Sequence, residues 1–195
     1  MIPRARLDAL TDGVFAFAMT LLVLDLRLPD NFSPHSASEL LHALKQLDSQ
    51  YTAYVISFFV LGARWLAQAG HRRVPEQTSR RYALWVLVYL FLITSIPFST
   101  MVVGRYNDFA PAIWLYAANM ILSAVASLRM SLLAEEEADA ASERDDHFGA
   151  VLIIASALLS VALSWLTPQY ATLAYVLNFA SPLKPRIVGR SRRGQ

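Results

Sequence analysis

Hydrophobic residues along the chain form six blocks, and the charged residues lie almost entirely between these blocks. A bilayer core about 30 Å thick is crossed by roughly 20 apolar helical residues, so each block predicts a membrane-spanning helix. The predicted spans cover residues 9–28, 50–69, 82–103, 111–133, 148–166 and 168–183, and the last is the shortest. Residues 33–49 predict one or two short amphipathic helices at the outer surface, because Ser36 or Ser38 can cap a segment with apolar residues at helical spacing.

The positions of arginine and lysine predict how the spans are oriented. One side of the membrane holds the basic residues before span one, between spans two and three, and after span six, whereas the opposite connections hold only Arg27, Lys45 and Arg105. Basic residues concentrate in short cytoplasmic loops. We therefore expect a multi-pass protein of the cell membrane with both termini in the cytoplasm, and with residues 184–195 as a basic cytoplasmic tail.

Composition supports this class and excludes several others. The chain is 55% hydrophobic and 16% charged, whereas soluble domains carry about 25% charged residues. The net charge of +2 follows from the topology, so nucleic acid is not an expected partner. There is no cysteine, and hydrolase and phosphate-binding motifs are absent. The four histidines do not form a plausible metal cluster, so we expect neither an enzyme nor a metal or cofactor site.

Serines inside the spans, such as Ser57 and Ser123, have no intramembrane histidine beside them. They indicate close packing of helices more than a nucleophile.

The first span contains the candidate functional residues. Asp12 lies about one turn inside the span, where an ionised group is costly and needs a partner, such as Arg6, Arg64 or His71. A plain anchor pair at the interface and a functional role are both compatible with this position. Further along, an apolar stripe at helical spacing is formed by Phe17, Leu21, Leu24 and Leu28. Such a stripe lines a helix contact, a lipid face or a pore; Thr20 lies beside it and Asp25 near its outer end.

Several stretches resemble one family. Arg6, followed by Leu10, Thr11, Asp12 and Gly13, resembles the Arg-x-x-x-Phe-Ser-Asp motif of the transmembrane protein 175 family, the lysosomal and bacterial potassium channels. Residues 14–25 resemble its first helix. Residues 54–59 with Trp65, residues 96–100, and Tyr116 with Asn119 add to the match, which covers about two thirds of the chain.

The resemblance implies an all-α, six-span subunit and a homotetrameric potassium channel without a re-entrant filter loop. In that family the first helix lines the pore, and three of its apolar positions form the constriction, here Phe17, Leu21 and Leu24. Thr20 would offer a hydroxyl to the permeant potassium ion. Arg6, Leu10, Thr11, Asp12 and Gly13 would belong to the network at the cytoplasmic end of the pore helix.

Asp25 is suggested by its position alone, as a ring of carboxylates at the outer mouth that concentrates cations.

The chain also departs from the family pattern. Phe17 stands where isoleucine or leucine is usual, and Gln68 and Ala69 stand where the family commonly has two histidines. A non-conducting scaffold with the same fold therefore remains an alternative. So does a proton-coupled secondary transporter, although the spans show no clear inverted repeat.

Overall fold

The computed structural model describes residues 2–69, 77–137, 148–165 and 173–175 of the chain. These residues are mostly helical, as the sequence predicts. In chain order the elements are β1 (Ile2–Pro3), α1 (Arg4–Leu21), a 3₁₀ turn (Leu22–Asp25), α2 (Ala37–Lys45), α3 (Asp48–Ala69), β2 (Gln77–Thr78), α4 (Arg80–Arg105), α5 (Ala110–Glu137) and α6 (Phe148–Ser164).

Three helical segments are long and apolar enough to cross a membrane: α1 with its 3₁₀ turn, α4 and α5. Helix α6 contains a shorter apolar stretch, Ala150–Ser164. Helix α3 has 22 residues and includes a buried arginine, Arg64. The predicted sixth span, 168–183, lies outside the described residues except for 173–175, which form a 3₁₀ turn.

The segment after the first span forms the predicted amphipathic helix, α2. Ser36 caps it by accepting a hydrogen bond from the Glu39 backbone N–H (3.1 Å), and the Glu39 side chain accepts one from the His35 backbone N–H (2.8 Å). This reciprocal arrangement satisfies two backbone donors near the start of the helix. Leu40, Leu41 and Leu44 remain exposed on α2.

Helix α4 holds the bundle together, because it packs against α1, α3 and α5, and α5 packs in turn against α6. Leu61 of α3, Ile93 of α4 and Met120 of α5 are completely buried in the shared core. Near its end α4 comes very close to the start of α3. A Cβ atom at Gly104 would lie 3.1 Å from the Cα of Gln50, so the absence of a side chain there permits this approach.

A two-stranded antiparallel pairing ties the beginning of the chain to the bundle. Ile2 of β1 pairs with Thr78 of β2, and the Thr78 hydroxyl donates to the Ile2 carbonyl at 3.3 Å. Nothing in the sequence pattern predicts these short strands. They place the start of α1 beside the start of α4 and so help to fix the position of α1.

Candidate functional site

One face of α1 packs into the bundle. It is formed by Leu7, Phe15, Ala18 and Leu22, all of them buried. The ring centroid of Phe15 lies 6.1 Å from that of Tyr89 on α4. Because these positions recur on one side of a helix, their burial fixes the rotation of α1 about its own axis.

The other face of α1 carries the predicted constriction residues. Phe17 is 64% exposed and Leu24 is 68% exposed, while Leu21 is half-buried at the flank. After Leu21 the helix tightens into the 3₁₀ turn that contains Leu24, and side chains three residues apart eclipse in a 3₁₀ helix. Exposed apolar side chains also occur on α4, such as Phe91, so exposure alone does not distinguish a pore face from a lipid face.

Two small or polar residues interrupt this apolar face. The Thr20 hydroxyl donates to the carbonyl of Phe17 at 2.8 Å, which uses its proton and leaves the lone pairs of its oxygen available as acceptors. A Cβ atom at Gly13 would meet nothing within 4 Å. Packing within one subunit therefore does not require a glycine at this position.

The partner of Asp12 differs from every one that the sequence suggests. The indole N–H of Trp65 on α3 donates to Asp12 Oδ1 at 2.8 Å. Arg64, one of the predicted partners, instead points into the core, and His71 lies outside the described residues. A neutral donor thus holds the carboxylate of Asp12 and connects α1 to α3.

The remaining motif residues lie at the same end of α1. Arg6 and Leu10 are exposed, and Thr11 is half-buried. Arg6 makes no ion pair within the part of the chain that the structure describes, whereas Arg4 contacts Asp8 at 3.3 Å. The structure therefore brings Asp12 together with Trp65, and Arg6 is not part of that contact.

Beyond the opposite end of α1, Asp25 pairs with Arg105, which the sequence predicts only as a residue of a connecting loop. Arg105 Nη2, at the end of α4, lies 2.5 Å from Asp25 Oδ1, and both side chains are half-buried. The charge of Asp25 is therefore balanced within its own subunit. Arginine and aspartate 80 positions apart carry no local pattern, so this pairing could not be read from the sequence.

Hydroxyl groups inside the bundle form an interhelical cluster that joins α3, α4 and α5. Ser57 shares a hydrogen bond of 2.9 Å with the Tyr116 hydroxyl and accepts one of 2.9 Å from Thr100. Asn119 donates to Ser99 at 3.1 Å. All five side chains are buried. Ser57 therefore does more than allow close packing, because it hydrogen-bonds to two other helices.

Arg64 is a buried cation in the same bundle. It donates to the Ser123 hydroxyl at 2.7 Å and to the Tyr89 hydroxyl at 3.4 Å, and its guanidinium lies 5.3 Å from the Tyr89 ring centroid. One of its nitrogens, Nη2, is buried without a hydrogen-bond partner. Hydroxyls and an aromatic face, with no carboxylate among these contacts, thus surround the charge.

Metal-ligating side chains do not cluster anywhere in the described ranges. His35 and His42 lie on or beside α2 and are exposed. The chemistry that the described residues offer is therefore an apolar face with hydroxyls, bounded at its two ends by the contacts of Asp12 and Asp25.

Membrane-length helices and this long apolar face on α1 define a helical membrane protein. Residues 6–97 match the family described as the endosomal/lysosomal potassium channel TMEM175. The resemblance to this family that the sequence predicts is confirmed. The proteins found to be similar are named as ion channels.

Among its relatives is a potassium channel of Streptomyces collinus, 36% identical over 104 residues, which are 52% of this chain and 48% of that protein. A potassium channel of Chamaesiphon minutus is 32% identical over 104 residues, 52% of this chain and 49% of that protein. The chain thus spans about half the length of these relatives. The proton channel TMEM175 of Gallus gallus is 26% identical over 112 residues, 55% of this chain and 22% of that protein.

The fold also matches a solved structure. The crystal structure of a lysosomal potassium-selective channel TMEM175 homolog from Chamaesiphon minutus superposes with a TM-score of 0.73 and 24% sequence identity. The match covers 92% of this chain and 96% of the other. At this level of identity the match establishes the fold.

Proposed function

We propose that the chain forms a homotetrameric, potassium-preferring cation channel that conducts passively through a central pore. The observation that supports this proposal most strongly is the match of the fold to the solved potassium-selective TMEM175 homolog, with a TM-score of 0.73 over 92% of this chain. The exposed apolar residues Phe17 and Leu24 on one face of α1 are compatible with it. The channel relatives support it independently, because two of them are named potassium channels.

Oligomerisation is central to the proposal. One copy of the chain supplies one α1 helix, and a single helix encloses no pore. Four copies would bring four apolar faces to a common axis, with Phe17, Leu21 and Leu24 as three stacked rings.

An apolar constriction can gate a pore by dewetting, since a narrow hydrophobic passage excludes water and the hydration shell of the ion. Conduction then follows when the rings widen. Thr20 lies between Phe17 and Leu21 in the sequence. The oxygen of its hydroxyl would therefore lie near these two rings and contact a partly dehydrated potassium ion.

The cytoplasmic end of the pore helix is held by its motif residues. The bond from Trp65 to Asp12 fixes this end of α1 to α3, and the half-buried Thr11 is the adjacent residue along the helix. Arg6 and Leu10 are exposed in the subunit and would meet a neighbouring copy. Packing within the subunit does not require a glycine at position 13. The absence of a side chain at Gly13 would instead allow the α1 helices of neighbouring copies to approach each other.

The topology completes the proposal. We propose six spans in the cell membrane, of which residues 168–183 are the last. Because six is an even number, both termini then lie on the same side, in the cytoplasm, together with the basic tail 184–195. Potassium ions, lipid and other copies of the chain are then the partners, and no cofactor is needed.

Potassium flux into liposomes tests the pore assignment. The protein with Phe17→Ala is compared with Phe91→Ala, a matched control because Phe91 is equally exposed but lies on α4. We expect Phe17→Ala and Leu24→Ala to change the potassium flux and Phe91→Ala to leave it unchanged. Equal flux in all three variants, with intact assembly, would reject the pore assignment.

Cross-linking tests the arrangement of subunits. Because the chain has no cysteine, Thr20→Cys introduces a single thiol. Oxidation should link subunits in pairs when Thr20 faces the axis, whereas Phe91→Cys should remain unlinked. Saturable, proton-coupled uptake would indicate a transporter instead, and a complete lack of flux across several potentials would indicate a scaffold.

A further inference from the structure

A cleft opens between the start of α4 and the end of α5, away from the proposed pore face. Its volume is about 400 Å³, within the range of about 300–1,000 Å³ typical of small-ligand sites. Arg81 and Trp85 of α4 line one side, and Arg129, Leu132 and Glu136 of α5 line the other.

The two arginines of this cleft come from neighbouring helices and are both exposed. Neither makes an ion pair within the described part of the chain. A guanidinium presents five donors in a planar fork that matches the oxygens of a phosphate. Arg81 and Arg129 therefore supply donors of this kind to the cleft from two helices.

Apolar surface leads up to the cleft. Arg129 continues an exposed stripe of α5 that includes Leu122, Val125 and Leu132. Trp85 is half-buried beside the exposed Leu84. Tryptophan is enriched where the hydrocarbon region meets the headgroups, and long arginine side chains extend to that boundary. A tryptophan and two arginines beside exposed apolar residues are typical of the boundary between hydrocarbon and headgroups, so these surroundings suit a lipid headgroup.

Carboxylates also border the cleft, and they restrict which headgroup fits. Glu136 is exposed and makes no ion pair among the described residues, whereas Glu135 already has a partner. A purely anionic headgroup would approach Glu136 unfavourably. A headgroup with a phosphate and a positive, hydrogen-bond-donating group would satisfy both the arginines and the glutamate.

We propose that this cleft binds the headgroup of a phospholipid that carries a phosphate and a primary ammonium group, as in phosphatidylethanolamine. The phosphate lies between Arg81 and Arg129, and the ammonium donates to the Glu136 carboxylate. The acyl chains follow the apolar stripe of α5. This proposal does not depend on ion conduction, because none of its residues lies on α1.

The test uses the full-length protein in nanodiscs of phosphatidylethanolamine, phosphatidylcholine or phosphatidylglycerol with identical acyl chains. Phosphatidylcholine keeps the phosphate but has a trimethylammonium that cannot donate hydrogen bonds, and phosphatidylglycerol has no cation. We expect the highest thermal midpoint in phosphatidylethanolamine. Native mass spectrometry should show this lipid retained, with apparent affinity about tenfold weaker for each arginine removed.

Variants separate the two halves of the site. Arg81→Gln with Arg129→Gln should abolish the advantage of phosphatidylethanolamine, and Glu136→Ala, which removes the acceptor for the ammonium, should make this lipid and phosphatidylcholine equivalent. Arg80→Gln is the matched control, because Arg80 is an exposed neighbour on α4 that does not line the cleft; it should leave the preference intact.

Three outcomes would overturn the proposal. One is equal stability of the unmodified protein in all three lipids. Another is protection by phosphatidylglycerol as strong as that by phosphatidylethanolamine. The third is an equal loss of stability in every lipid for the double arginine variant, because that result would show that the arginines stabilise the protein independently of the headgroup.

Discussion

Two phenylalanines of α1, two positions apart, lie in opposite environments. Phe15 is 1% exposed, and Phe17 is 64% exposed. Both residues are phenylalanine, so the mean hydropathy of the span cannot distinguish their environments. The packing of one subunit explains Phe15 completely, because it contacts Tyr89, but it does not explain Phe17. The apolar surface of Phe17 is covered from outside the subunit, either by lipid or by another copy of the chain.

The largest effect that we predict separates these two residues. Phe15→Ala should lower the free energy of unfolding by about 3–5 kcal/mol, because it leaves a cavity in a closed core. Phe17→Ala should change it by no more than about 0.5 kcal/mol, since most of its side chain is exposed within the subunit. Denaturant titration in detergent micelles of the dissociated subunit measures both; similar losses would contradict the two-faced description of α1.

A smaller effect is expected where α1 is held to α3. Trp65→Phe removes the donor to Asp12 and keeps an aromatic ring, and hydrogen bonds to charged groups contribute about 1.5 kcal/mol or more. We expect a loss of about 1–1.5 kcal/mol together with altered potassium flux, because the freed end belongs to the proposed pore helix.

The control for this variant is Trp114→Phe. It removes an indole bond to Ser164 (3.2 Å) that joins α5 to α6 and does not involve α1. Its flux should equal that of the unmodified protein. A change of the same size in both variants would show that the Trp65 contact has no particular connection to α1.

The interhelical hydroxyl cluster should respond more weakly. Tyr116→Phe removes one bond to Ser57 but leaves the bond from Thr100 to Ser57 in place, and interhelical hydrogen bonds in membrane proteins average about 0.6 kcal/mol. We expect a loss of about 0.6 kcal/mol in the unfolding measurement and no change in flux. A loss above about 2 kcal/mol would indicate that the cluster acts as one cooperative unit.

Local patterns predicted much of the fold. Apolar runs of the right length predicted mostly helical structure, and Ser36 was one of the two serines predicted to cap the helix α2, because capping depends on residues close in sequence. The motif around Asp12 and the apolar periodicity of α1 also drew attention to the helix that the structure shows to be two-faced.

Contacts between distant residues could not be predicted in the same way. The bond of Asp12 to Trp65, the pairing of Asp25 with Arg105 and the burial of Arg64 each depend on how helices rotate and pack. Hydropathy does not encode these rotations. Arg64 illustrates the limit, because a sequence rule that seeks a carboxylate partner for a buried arginine overlooks hydroxyls and an aromatic ring as alternatives.

The smallest effect concerns the outer end of α1, where Asp25 and Arg105 neutralise each other. Partly exposed ion pairs contribute about 0.2–1 kcal/mol, so Asp25→Asn and Arg105→Gln should each reduce stability only slightly. A double-mutant cycle isolates the pair from the effects of each single change. Flux is the more sensitive measurement, because charge at a pore mouth changes the local concentration of cations.

Arg105→Gln should free the Asp25 carboxylates and raise potassium flux at low ionic strength, and Asp25→Asn should lower it by leaving Arg105 unpaired. The double variant should lie close to the unmodified protein. All differences should vanish near 1 M salt, where the Debye length is about 3 Å instead of about 30 Å at 0.01 M. Arg80→Gln, at the other end of α4, is the control and should not reproduce the Arg105 effect. If flux in the Arg105 variant is insensitive to ionic strength, Asp25 does not face the entrance of the pore.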